Sequence, residues 1–269
     1  MSGERKHFID QLGNRIIVTW PPQRIVSLVP SQTELLHHIG LENEVSGITK
    51  FCIHPASWFK TKTRVGGTKT INIETIRRLN PDLVIANREE NDGSQIAALQ
   101  NEFPVWVSDI KNLDDALAMI LSVGEMCNKV KSSFTLVEEI TKQFQLLHPL
   151  QKTRACYLIW SEPLMSVNGD TFIHDMMKRC GLENVFESRS DSRYPKIEMD
   201  QLIHANPELV LLSSEPFPFS EKHAMQLQEL LPKARVKLVD GEMFSWYGSR
   251  LLKSVAYFNQ LMVELNEAQ

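Results

Sequence analysis

"INIETIRRLNPDLVIA", residues Ile71–Ala86, is nearly rewritten later in the chain as "IEMDQLIHANPELVLL", residues Ile197–Leu212. Without a gap the two share Ile71/Ile197, Asn80/Asn206, Pro81/Pro207, Leu83/Leu209 and Val84/Val210. Ile76 falls on Leu202, Asp82 on Glu208 and Glu74 on Asp200. A second pair, "IGLENEVSG" from Ile39 and "CGLENVFES" from Cys180, precedes each copy. The order in each half is a buried strand ("RIVSLV", "ACYLIW"), a helix, a Gly-Leu-Glu-Asn turn, a helix ending in Asn-Pro, and a strand ("DLVIA", "ELVLLS"). The Gly suits a helix C-terminus, where a left-handed residue is needed. Asn-Pro suits a helix stop, because the residue before proline is pushed out of the helical region. Short Val/Ile/Leu runs alternating with helices predict parallel sheets buried on both faces. The fold class is therefore α/β, with two Rossmann-like lobes, each a parallel sheet flanked by helices.

Between the halves, "NLDDALAMILSVGEMCNKVKSSFTLVEEITKQFQLLHPL" has no proline before Pro149, and its apolar residues recur near helical spacing. This predicts a single long backbone helix joining the lobes; the other reading is two helices broken at Gly124. The expected division is 1–110 for the N-terminal lobe, 111–148 for the linking helix and 149–269 for the C-terminal lobe.

Composition narrows the function. The 269 residues carry a net charge of −4 and 42% hydrophobic residues, so the chain reads as a globular protein with no basic patch for nucleic acid. Cys52, Cys127, Cys156 and Cys180 lack metal spacing and read as buried thiols. No transmembrane run and no secretory leader stand in the sequence as written, which reads as cytoplasmic unless a leader was removed. Dinucleotide, Walker, nucleophile-elbow and His-Glu-x-x-His signatures are all missing, so no catalytic residue and no protein-bound metal is expected.

In open α/β sheets ligands bind beyond the carboxyl ends of the strands. The loops there hold Ser31, Gln32 and Thr33, then Phe51 and His54, Thr68 and Lys69, and Asn87, Arg88, Glu89 and Glu90. In the second half they hold Trp160, Phe217, Phe219, Phe244, Trp246 and Tyr247. Large aromatics on loops point to a small-molecule site. Glu74 and Asp200 each sit near a helix start, where the dipole favours an acid. As a matched pair they also make two docking points for a two-fold partner.

"RIVSLVPSQTELL", "RVGGTKTINIETIRRLNPDLVIA" and "CGLENVF" resemble the substrate-binding proteins of ABC importers for cobalamin and iron chelates, closest to the cobalamin-binding branch. The likeness runs from about Gln11 to the C-terminus. It implies a monomeric, non-catalytic protein holding a cobalamin-like or iron/haem-chelate ligand between its lobes, with no intrinsic cofactor. It also implies a periplasmic setting and an ABC permease dimer as partner, docked through Glu74 and Asp200. The family's ligand-facing aromatics fall on Phe51, Trp160, Tyr194 and Phe244. Others fall on Thr68, Asn87 and Ser166, so aromatic surface is lost; Lys69, Asn87, Arg88 and Glu89 suit a more polar ligand. Ser31, Lys69, Asn87 and Arg88 are expected to orient the ligand, and Trp246 to pack on it. Two other readings stand beside this: a cytoplasmic ligand carrier or sensor, and a chelatase-like enzyme.

Overall fold

The computed structural model describes residues 4–267. In chain order the elements of the first half are β1 (Glu4–Ile9), β2 (Arg15–Trp20), β3 (Ile25–Ser27), α1 (Pro30–His38), β4 (Val45–Ile48), α2 (Ala56–Thr61), β5 (Thr63–Arg64), α3 (Ile73–Leu79), β6 (Leu83–Asn87), α4 (Gly93–Gln100) and β7 (Val105–Ser108). α5 (Leu113–Met126) and α6 (Val130–Phe144) follow. The rest are β8 (Thr153–Trp160), β9 (Met165–Ser166), α7 (Phe172–Arg179), β10 (Leu182–Asn184), α8 (Met199–Ala205), β11 (Leu209–Ser213), α9 (Glu221–Leu230), β12 (Arg235–Val239), α10 (Gly241–Ser245) and α11 (Leu251–Glu267).

The chain divides into two compact lobes. The first comprises the residues up to Asp109, Asp114–Thr141 and Tyr247–Arg250. The second comprises Ile110–Leu113, Lys142–Trp246 and the residues from Leu251 on. The first lobe carries a parallel sheet of order β5-β4-β3-β6-β7 and the separate antiparallel hairpin β1-β2. The second carries β10-β8-β11-β12 in parallel, with β9 antiparallel on β8. In each sheet the first strand of the lobe's parallel set lies inside, so the winding direction reverses beside it: between β3 and β6, and between β8 and β11.

The quoted repeat is a repeat of geometry. α3 and α8 both span seven residues, and both end on an asparagine at φ 46°, ψ 60°. The asparagines leave the helix into the left-handed region, which Asn tolerates better than most side chains, and not into the extended region that a following proline favours. Asp82 then accepts from the backbone N–H groups of Gln23 and Arg24, and Glu208 accepts from that of Arg154. Each acid thus ties the start of its strand to the neighbouring one. The repeated apolar positions fill matching places: Ile71, Ile76 and Val84 in the core of the first lobe, Ile197, Leu202 and Val210 in that of the second. β6 and β11 are buried along their whole length, as strands covered by helices on both faces must be. The four cysteines are buried and free.

The single long helix does not form. α5 stops at Met126 and α6 starts at Val130, with Asn128 left-handed at φ 56°. The break is not at Gly124, which lies inside α5. A Cβ there would stand 1.9 Å from Ser133 Oγ, whereas residues nine apart in one straight helix are separated by roughly 13 Å. The chain therefore turns sharply after Met126, and Gly124 is needed because α6 folds back against it. The second Gly-Leu-Glu-Asn also differs from the expected turn: Gly181 is left-handed at φ 80°, but Leu182–Asn184 form strand β10 against β8.

Candidate functional site

At the carboxyl edge of the first sheet, the loops after β3 and β6 flank the point where the winding reverses, the usual ligand position in such sheets. α1 begins there with Pro30 at its first turn and no side-chain cap. Ser31 and Gln32 are buried, and Ser31 Oγ and Gln32 Oε1 find no hydrogen-bond partner among the described residues. Gln32 Nε2 is committed, donating to Ser108 Oγ at 2.5 Å.

Asn87, expected to orient a ligand, is instead a buried brace. Its Nδ2 donates to Ser108, and its Oδ1 accepts from the N–H groups of Glu89 and Glu90. With the side chain only 2% exposed and both ends occupied, Asn87 has nothing left to offer a ligand. Arg88 is exposed and donates to Asp109 at 2.9 Å. Lys69 Nζ donates to the Glu89 carbonyl, and Asn91 Nδ2 to that of Thr68, so the β5 and β6 loops are laced together. Glu90 accepts from Tyr247 Oη at 2.9 Å. Arg250 makes a two-pronged pair with Glu34, both bonds at 3.0 Å. Sequence reading missed both of these contacts, since neither partner stands near the other in the chain. Phe51 is 50% exposed, with Lys50 Nζ 5.1 Å from its ring centre. Trp58 is fully buried on α2, its Nε1 donating to Glu42.

At the carboxyl edge of the second sheet, Trp160 ends β8 and is 38% exposed. Its indole meets Phe217 edge-on at 5.7 Å, and Phe217 packs on Phe219 at 4.8 Å. Trp246 is nearly buried and donates its Nε1 to Glu215 Oε1 at 2.9 Å. Burial raises the Glu215 carboxyl pKa above the ordinary range, with Glu242 and Asp240 adding to the rise; the bonds from Ser245 and Trp246 oppose it. Tyr194 is half-buried.

Phe244, expected to face the ligand, is fully buried among Tyr157, Tyr257 and Phe258, with Phe258 at 4.7 Å, so it is a core residue. Ser166 is buried on β9 and donates to the Tyr157 carbonyl. No group of His, Cys, Asp or Glu among the described residues has the arrangement of a metal site.

Glu74 and Asp200 both lie exposed in the first turn of their helices. Glu74 is paired with Arg77 at 3.2 Å, and Arg77 is clamped by Glu102 at 2.7 Å. The two acids push the Arg77 pKa further up, Glu102 more than Glu74. Asp200 has no ion-pair partner among the described residues. It lines a surface cavity of about 540 Å³ with Phe186, Arg189, Gln201 and His204. Position 203, which matches Arg77, holds an exposed isoleucine.

A family model described as periplasmic binding protein matches residues 25–239. The chain is 26% identical over 258 residues to a vitamin B12-binding protein of Pectobacterium atrosepticum, covering 92% of this chain and 91% of that protein. It is 28% identical over 201 residues to one of Vibrio vulnificus, 72% of each being covered. Among solved structures, the periplasmic vitamin B12-binding protein of Vibrio cholerae superposes with a TM-score of 0.74 at 22% identity, covering 93% of this chain and 99% of that one. A periplasmic heme-binding protein in complex with two hemes superposes with a TM-score of 0.76 at 19% identity, over 90% and 98% of the two chains. At such identities the superpositions establish the shared two-lobed α/β fold.

Proposed function

We propose that this chain, which belongs to the periplasmic binding protein family, carries a cobalamin-like or metal-chelate ligand for an ABC importer. Family membership makes it a binding protein and not an enzyme. The observation that carries the ligand class is the aromatic surface at the strand ends. Trp160, packed on Phe217, leaves over a third of its surface open where the winding of the second sheet reverses, and Phe51 leaves half of its own open at the edge of the first. Large aromatics held open at such positions suit a flat, largely apolar ring system. Vitamin B12-binding and heme-binding relatives support that class. At the edge of the first sheet, exposed Arg88 and the Lys69 ammonium suit acidic groups on a ligand.

Purified protein titrated with cyanocobalamin, haemin and ferric chelates, followed by absorbance and native mass spectrometry, tests this. One of them should bind, and Trp160→Ala or Phe51→Ala should weaken it about tenfold or more, as loss of a stacked aromatic does. Binding to none of them removes the ligand class.

Glu74 and Asp200 are the docking acids of this reading, offered to a permease dimer from a monomeric binding protein in the periplasm. No helix among the described residues is long and apolar enough to cross a membrane. Pull-down of the co-expressed permease should fall with Asp200→Ala more than with Glu74→Ala, because Glu74 is already partly neutralised by Arg77. A double variant that docks normally overturns the docking role. Fractionation of cells carrying the natural gene tests the compartment.

A further inference from the structure

The loop after β11 and the first turn of α9 carry Phe217, Phe219 and His223. Their rings form one cluster with Trp160. Phe217 meets Trp160 edge-on at 5.7 Å, Phe219 at 4.8 Å and His223 at 5.3 Å, and Phe219 meets His223 at 5.6 Å. β8 and β11 pair with each other, so the cluster stands at the carboxyl edge of the second sheet, where Trp160 is open and where ligands of such sheets bind.

One nitrogen of His223 is committed to the fold. Nδ1 accepts from the backbone N–H of Ser220 at 3.0 Å, with Ser220 Oγ 2.8 Å away, and this closes the start of α9. A backbone N–H can only donate, so Nδ1 carries no proton and the neutral ring holds its proton on Nε2. Nε2 has no hydrogen-bond partner among the described residues. The buried side-chain atoms without a partner there are Ser31 Oγ, Gln32 Oε1, His174 Nδ1 and Ser249 Oγ. His223 is half-buried and its Nε2 is not one of these, so this N–H reaches solvent.

The neighbouring rings have nothing comparable to give. Trp160 Nε1 is spent on the Glu162 carbonyl at 3.0 Å, and a phenylalanine has no polar hydrogen. Of the four rings, His223 alone presents an uncommitted donor, and the bond at Nδ1 holds it in one orientation.

We infer that His223 is a ligand-binding residue: its Nε2–H donates to an acceptor oxygen on the rim of a flat ligand whose face lies on Trp160 and Phe217. This rests on the ligand-carrying reading above. A carboxylate is the preferred acceptor, because a bond to an ionised oxygen is stronger than one to a neutral oxygen. An amide oxygen is the weaker alternative of the same chemistry.

The test separates the two nitrogens. Asparagine keeps an acceptor one bond from Cγ, where Nδ1 stands, and lacks the outer N–H. Glutamine keeps an outer N–H and loses the inner acceptor. Affinity is read on the full chain by absorbance titration with haemin, with an iron porphyrin of the same ring lacking carboxylates, and with cyanocobalamin, whose rim carries amides. Urea unfolding of each variant reads the helix cap. His223→Asn should unfold at the natural midpoint yet bind haemin about tenfold more weakly, while affinity for the carboxylate-free porphyrin stays within about twofold. Its loss for cyanocobalamin should be about threefold, as befits a neutral acceptor. His223→Gln should hold haemin within about threefold of the natural protein and unfold at lower urea, because the cap is lost. No loss of haemin affinity in His223→Asn overturns the inference. An equal loss for haemin and the carboxylate-free porphyrin also overturns it, since ring packing would then be the cause. If the unaltered protein binds none of the three probes, the ligand-carrying reading fails and this inference with it; if it binds them and only the variants behave otherwise, this inference alone fails.

Discussion

α3 and α8 are matching seven-residue helices, capped differently at their N-termini, and their ion pairing differs on the side that faces water. Inward, Ile76 and Leu202 occupy matching core positions, both fully buried. At the C-terminus, Asn80 and Asn206 hold the same left-handed geometry, and Asp82 and Glu208 tie the following strand to its neighbour. Outward, the first helix carries Arg77, clamped between Glu102 and Glu74, while the second carries exposed Ile203 beside an Asp200 that has no ion pair among the described residues. Parts under packing and backbone constraint stayed alike; the solvent face, which packing does not restrict, diverged. The two acids proposed for docking are therefore equal in position and unequal in environment.

The largest effects should fall on the shared interior. Ile76→Ala and Leu202→Ala should each cost about 2–5 kcal/mol of stability, the range for emptying a buried aliphatic site, read from urea unfolding of the full chain. A gross inequality between them would break the claim that the two positions are equivalent.

Smaller effects belong to the caps. Asn80→Ala and Asn206→Ala should each cost about 1–2 kcal/mol, since a Cβ-bearing residue without the Asn side chain resists the left-handed region. Asn→Gly at either place should cost far less, because glycine enters that region freely. If Ala and Gly behave alike, the shared geometry is not what ends these helices.

The smallest effect tests the outer faces. Arg77→Ala should change stability little and lose even that at high salt, because exposed ion pairs are weak and screened. Its interest is in docking: freeing Glu74 should make permease pull-down through the first lobe more like that through the second. No change in pull-down would mean that the ion pair does not set the difference between them.

Much of this was legible in the residues. The offset repeat, with Asn-Pro at the same place and apolar residues at the same spacing, predicted two matching α/β lobes and the alternation of strand and helix in each. The resemblance to ABC-importer binding proteins agrees with the family that the chain matches. Site residues were less legible. Trp160 and Phe51 lie open at strand ends as expected, but Asn87 and Phe244, chosen by the same reasoning, turned out to be a buried brace and a core ring. Position after a strand says which edge a residue occupies, and not whether its side chain turns toward solvent or inward. The connecting stretch failed for a related reason. Helical periodicity runs through residues 113–144 almost without interruption, and a single left-handed Asn128 was enough to end one helix and begin another.

What the sequence by itself determined is what local chemistry controls: alternation of strand and helix, the stops at Asn80 and Asn206, and the apolar positions each lobe must bury. Only the tertiary structure decided which polar groups meet across long separations. Glu90 with Tyr247, Glu34 with Arg250 and Glu215 with Trp246 are brought together by chain paths, and no spacing rule joins them. Folding leaves few buried polar groups unpaired, so the partners that long-range packing assigns are what distinguish a spent side chain such as Asn87 from an open one such as Trp160.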